Sequence, residues 1–75
     1  MWIRSQSLLT LANFECLKIR QYGSKEFVIV GDGDIILGKY STVEKAMRVM
    51  DEIQKITEYL WHKAFQMPQD DEVEI

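Results

Sequence analysis

Hydrophobic and polar positions repeat with two different periods along this chain, and the change falls near Ser41. Beyond it, Val43, Ala46, Met50, Ile53, Thr57, Leu60, Ala64 and Met67 alternate spacings of three and four, which sets them along one face of a helix. Glu44, Arg48, Asp51, Lys55, Glu58 and His62 repeat in the same way on the opposite face. Ser41-Thr42-Val43-Glu44 fits a capping box, and Pro68 is a stop signal. The pattern predicts one amphipathic helix from Ser41 to Met67. Its solvated face would carry the acid-then-base pairs Glu44–Arg48, Asp51–Lys55 and Glu58–His62, worth ~0.3 kcal/mol each, the last only while His62 is protonated.

Val49 and Ile56 flank the apolar stripe on one side, and Met47, Trp61 and Phe65 on the other, so the stripe covers roughly half the helix. About 26 residues make a rod of roughly 39 Å, whereas a five-stranded sheet is only about 20 Å across. Either the helix breaks near Thr57, or its end leaves the sheet to meet another surface. The second option makes Leu60, Trp61, Ala64 and Phe65 an interaction surface, most economically buried in a homodimer.

Before the helix the pattern is that of short strands. Trp2–Ser5, Leu8–Phe14, Cys16–Tyr22, Glu26–Val30 and Ile35–Tyr40 are candidates, separated by turn residues. Leu17 and Ile19 alternate with Cys16, Lys18, Arg20 and Tyr22, as in a half-buried strand, while Phe27-Val28-Ile29-Val30 is apolar on both faces and belongs in a sheet centre. Asp32-Gly33 suits a type I′ hairpin turn. Gly38 marks either a bulge or a close approach of another group to the backbone. Short links predict an α+β fold: an antiparallel meander of about five strands followed by the long C-terminal helix. Residues 1–67 would form the single domain and 68–75 an acidic tail, disordered or, through Val73 and Ile75, added to a sheet edge. One helix covers one face of such a sheet, so the other face must curl over itself or meet another molecule.

Composition narrows the classes. Seventy-five residues make one small domain, of a size often marginal alone. The single Cys16 rules out an internal disulfide framework and suits a reducing compartment. Residues 1–6 lack the apolar run of a signal peptide, and no window has the length of a membrane span, so a cytoplasmic protein is expected. The net charge of −3 comes from Asp70, Asp71, Glu72 and Glu74; residues 1–69 hold nine bases and eight acids. That balance gives no electrostatic reason for tight nonspecific nucleic-acid binding.

Candidate chemistry is sparse. Gly31-Asp32-Gly33-Asp34 lacks the Lys-Ser/Thr of a phosphate loop, and position twelve counted from Asp32 is Val43 where a calcium loop needs Glu. Cys16 and His62 are the only thiol–imidazole pair, without an activating signature, and one Cys with one His makes no soft-metal site. No enzyme, cofactor or metal is expected. An aromatic among bases (Arg4, Lys18, Arg20 and Tyr22) makes a weak nucleic-acid-binding sheet face the alternative.

Three stretches add a setting. Trp2-Ile3-Arg4-Ser5-Gln6, then Ile36-Leu37-Gly38-Lys39-Tyr40-Ser41-Thr42 with Glu44-Lys45-Ala46, and Phe65-Gln66-Met67-Pro68-Gln69-Asp70-Asp71-Glu72-Val73 resemble small proteins encoded by phages and prophages of Gram-positive bacteria. The stretch from Asn13 to Gly31 has no part in the likeness. The family carries no agreed activity, so the resemblance implies a phage or prophage setting in a bacterial cell and transfers no residue role. The expectation is a non-enzymatic interaction or assembly module, self-associating as a dimer or engaging another phage or host protein.

Overall fold

The computed structural model describes residues 1–60 and 63–74, Leu60 by its backbone alone. The fold is α+β, but its strands divide between two small sheets. β1 (Trp2–Arg4) pairs antiparallel with β2 (Leu11–Asn13). β3 (Lys18–Tyr22), β4 (Glu26–Val30) and β5 (Ile36–Tyr40) form a separate antiparallel meander. Helix α1 (Val43–Leu60) follows, and β6 (Phe65–Gln66) returns to pair parallel with β1. The expected five-strand meander is thus reduced to three strands, and its first two belong to a small mixed sheet, β2-β1-β6.

The split has a local cause at the Gly31–Ile35 connection. Instead of a two-residue type I′ turn, Asp32–Asp34 makes one 3-10 turn, with φ of 75° at Gly33 and 61° at Asp34. The Asp32 carboxylate accepts from the amides of Glu15 and Cys16 at 2.9 and 2.8 Å. Phe14 lies so close to Gly31 that a Cβ there would collide with its ring. The chain is therefore pinned to the β4–β5 turn at the point where β2 would otherwise have joined the meander.

β4 is central, as its two-sided apolar pattern requires. Ile29 faces the helix and joins Leu37, Tyr40, Ala46, Val49 and Ile53 in the core. Val28 and Val30 are buried on the opposite face, where the register flanks them with Lys18, Arg20 and Lys39. Side chains of this length can cover apolar neighbours with their stems while their charged ends reach water. The buried stripe of α1 runs through Ala46, Val49 and Ile53, with Met50 and Ile56 half-buried; Met47 and Thr57 are exposed. The stripe is therefore rotated toward Val49 and Ile56, away from Met47.

Helix α1 is also shorter than its periodicity. Its 18 residues span about 27 Å, a length the body of the fold can accommodate. The overshoot expected of a helix to Met67 does not arise: the helix ends at Leu60, close to the break considered near Thr57, and the chain returns as β6. Pro68 terminates nothing. The cap shifts by one residue, with Thr42 Oγ1 accepting from the Lys45 amide at 3.1 Å and Ser41 engaged elsewhere. The acid-then-base pairs do not form among the described residues; Arg48 meets Glu52 at 3.8 Å instead. His62 lies outside them.

Residues 68–74 are part of the folded body, not a loose tail. The Gln69 amide donates to Glu72 Oε1 at 2.7 Å, closing a capping box on a 3-10 turn at Asp70–Glu72. Val73 is buried in the core and adds to no sheet edge, and Ile75 lies outside the described residues. Asp70 Oδ1 accepts from the Ser41 amide at 2.8 Å, and Tyr40 Oη donates to the Pro68 carbonyl at 2.8 Å.

Gln6 joins these parts. Its amide N–H donates to the Leu37 carbonyl at 2.8 Å, and its side-chain carbonyl accepts from the Lys39 amide at 2.7 Å. Its Nε2 reaches the carbonyls of Lys39 and Pro68 at 3.2 and 2.9 Å. One side chain thus serves as a surrogate strand on the outer edge of β5. It fits because residue 38 is glycine: a Cβ there would lie 3.2 Å from Gln6 Cδ and 3.0 Å from the Tyr40 ring. A register shift between β4 and β5 adjoins the same glycine, with Ile29 opposite Gly38 and Val30 opposite Ile36. Both meanings of Gly38 therefore hold. Gln6→Ala removes three side-chain hydrogen bonds and is expected to cost about 2 kcal/mol in urea unfolding; a cost below about 0.5 kcal/mol would show the bridge to be incidental.

Candidate interaction surface

The four residues expected to form one surface at the helix end do not share a face. Leu60 is the last residue of α1, Ala64 is exposed after it, and Phe65 is 7% exposed in β6, buried in the chain's own core. Trp61 lies outside the described residues. The turn back into β6 takes Phe65 away from any helical stripe, because the strand pairing Ile3–Phe65 aims both side chains at the core.

The alternative set is divided as well. Lys18, Arg20 and Tyr22 alternate along β3 on the face away from the helix, joined by Lys39, whose ammonium sits 5.1 Å from the Tyr22 ring centroid. Arg4 belongs to the other sheet, where its Nε donates to the Leu8 carbonyl at 3.1 Å. Two acids share the Lys18–Tyr22 face: Asp34 pairs with Arg20 at 3.3 Å, and Glu26 stands opposite Tyr22.

No catalytic constellation comes together among the described residues. Cys16 is exposed, and its backbone amide is bound by Asp32. No group of three His, Cys, Asp or Glu side chains is placed to hold a metal among them, and none of their helices is long and apolar enough to cross a membrane. A cleft of about 320 Å³, of mixed polar and apolar lining, runs between the β1–β2 connection and β5. Its amides already serve the fold: Gln6 binds Lys39 and Pro68, and the Gln69 side chain donates to the Gln6 carbonyl at 2.9 Å. A larger open groove of about 660 Å³ beside α1 has an apolar floor of Phe14, Leu17, Met50 and Ile53.

The most unusual surface is one the sequence did not mark. The connection Ser5–Thr10 is a hydrogen-bonded loop, not the start of a strand. The Ser5 amide donates to the Thr10 carbonyl at 2.9 Å, and the Leu8 amide to the Ser5 carbonyl at 3.0 Å. The Ser5 and Ser7 hydroxyls lie 2.9 Å apart and accept from the amides of Thr10 and Leu9, both at 3.3 Å. This network holds Leu8 at φ 69°, a left-handed conformation costing about 1–2 kcal/mol for a residue with a Cβ. The loop presents Leu8 half in solvent and Leu9 90% exposed.

Beside the loop, the strand register sets Trp2, Arg4, Leu11 and Asn13 on the outer face of the small sheet, with Ile3 and Ala12 turned inward. Trp2 and Leu11 are about half exposed. With Leu8 and Leu9 they present on the order of 400–500 Å² of apolar surface, the range in which the largest patch on a small protein is often functional. The signal available in the sequence was the uncharged run from Ser5 to Phe14.

Comparison with family models, with curated proteins and with solved structures finds no match.

Two carboxylates outside this surface carry pH sensitivity. Asp32 is held below the ordinary 3.8 by the amides of Glu15 and Cys16. Asp70 is lowered from the same value, first by the Ser41 amide, with smaller help from the Ser41 hydroxyl and Lys45. Burial raises the Tyr40 phenol, which stays neutral as a donor to Pro68. A lowered carboxyl contributes stability that is present above its unfolded value and is lost as pH falls through the folded one. The urea midpoint is therefore expected to fall as pH drops below about 5. Asp70→Asn should lower the pH 5 midpoint and shrink that fall; an undiminished fall in the variant would assign acid sensitivity elsewhere.

Proposed function

We propose that the protein is a non-enzymatic interaction module that docks on other polypeptide through the outer face of its small sheet and the Ser5–Thr10 loop. The observation carrying this reading is the left-handed Leu8 beside a fully displayed Leu9. A loop held by Ser5 and Ser7 against backbone strain, to expose leucine, lowers stability without filling the core. Such local cost is a mark of residues kept for binding. The resemblance of the three stretches to small phage and prophage proteins supports an accessory role for such a module in a bacterial cell.

A second reading is weak binding of single-stranded nucleic acid on the outer face of the meander. It is supported by Lys18, Arg20, Tyr22 and Lys39 sharing that face. Asp34 and Glu26 on the same face weaken it, since affinity for phosphates rests on uncompensated cations. A salt-sensitive gel shift with single-stranded DNA, lost in Lys18→Glu/Arg20→Glu, would establish it; no shift at low salt would end it.

The first reading separates stability from binding. Leu8→Gly is expected to stabilise by about 1 kcal/mol, raising Tm by roughly 4–8 °C. Leu9→Ser and Leu11→Ser should change stability by less than about 0.5 kcal/mol. Peptides selected from a random display library against the native protein should bind this face, mapped by amide chemical shifts, and lose at least about tenfold, ~1.4 kcal/mol, in either serine variant. Serine variants that unfold the protein, or selected peptides that map elsewhere, would make these leucines structural.

A further inference from the structure

The free edge of the small sheet specifies how the surface is used and by what. In the β1–β2 ladder the hydrogen-bonded pairs are fixed by the Ser5 amide on Thr10 and the Phe14 amide on Met1. With the register Trp2–Asn13, Ile3–Ala12 and Arg4–Leu11, alternation makes Ile3–Ala12 the bonded pair between them. The amide and carbonyl of both Leu11 and Asn13 therefore point away from β1, along an edge that carries no further strand among the described residues.

The other edges are protected. β5 is covered by Gln6, and β6 is two residues long. The edge strand β3 carries Lys18 and Arg20 at alternate positions, a recognised guard against pairing. β2 has no guard: residues 5–14 contain neither a charge nor a proline.

We infer that β2 pairs antiparallel with β2 of a second copy of this chain, joining two small sheets into one of six strands. This rests on the reading of the face as a docking surface. A two-fold axis between the two Ala12 residues sets each Leu11 against Asn13 of the other copy, so four backbone hydrogen bonds form from groups that now face solvent. Ala12 is small enough for the close approach of a non-bonded pair. The Met1 ammonium is held by Asn13 Oδ1 at 2.7 Å and Arg4 stands across from Leu11, but β2 itself carries no charge, so a second β2, of the same length and equally free of charge, meets it with no repulsion between the two strands. The acids at Asp70–Glu72 and Glu74 lie in the C-terminal segment, outside the small sheet. An interface built on one three-residue strand is smaller than a standard specific interface, so dissociation on dilution is expected.

The test is solution mass by light scattering over a dilution series, with amide hydrogen exchange at both ends of the series. The expected result is a dimer at high concentration in which the Leu11 and Asn13 amides become protected, while Ala12, bonded to β1, is protected throughout. Leu11→Pro removes one outward donor and leaves the β1 ladder intact, and should give a monomer. Leu11→Lys, which keeps every backbone group, should weaken the dimer by at least about tenfold. Monomer at all concentrations, or a dimer with Leu11 and Asn13 amides unprotected, overturns the pairing. If selected peptides still bind the face of that monomer, the docking reading stands and only the self-pairing falls; if they do not, both fall.

Discussion

The fold depends on one carboxamide. A sheet this small has no spare strand to close the outer edge of β5, and an unpaired edge beside a core is unstable toward wetting and toward foreign pairing. Gln6 supplies a donor and an acceptor at the spacing of a peptide group, and Lys39 receives both. Because the same nitrogen also reaches Pro68, the C-terminal segment is held at that junction. Gly38 is the counterpart, since a Cβ there would crowd Gln6 Cδ and the Tyr40 ring. The β1–β2 unit, the meander and the C-terminal segment thus meet at one polar junction beside the core that Ile3, Ile29, Leu37, Phe65, Met67 and Val73 share.

Asp32 and Asp70 act in a similar way on backbone amides. Each carboxylate takes up N–H groups of a distant segment: Glu15 and Cys16 in one case, Ser41 in the other. Acidic residues that look like a turn and a tail in the sequence are therefore structural fasteners. Their exposed positions keep each contribution modest, and together they fix where the chain leaves one layer and enters the next.

What the sequence conveyed, and what it did not, follows from the range of the interactions involved. The strands β3 to β5, the central place of β4, the helix and the special status of Gly38 all arise from periodicity or from short turns, and were legible. The helix end was not. Ala64 and Met67 continue the helical spacing, yet pairing with β1 across most of the chain takes Phe65 into a strand, and no local pattern encodes that competitor. The same tertiary pairing turned the expected interaction residue Phe65 into core. The Ser5–Thr10 loop was hidden for another reason. Its leucines look like strand residues, and the Ser5–Ser7 network that diverts them is visible only in three dimensions.

The parallel pairing of β1 with β6 also bears on how the chain reaches this state. The meander and α1 rest on contacts close in sequence, which form early and fast. The small sheet must bring Ile3 to Phe65, and Gln6 to Pro68 across 62 positions, so its loop-closure entropy is met last. During synthesis the β1–β2 hairpin precedes β6 and waits with both edges open until β6 follows. Pulse-labelled hydrogen exchange during refolding would see that delay as late protection of Ile3. The uncharged segment from Ser5 to Phe14 is then open to aberrant association for as long as β1 waits for β6.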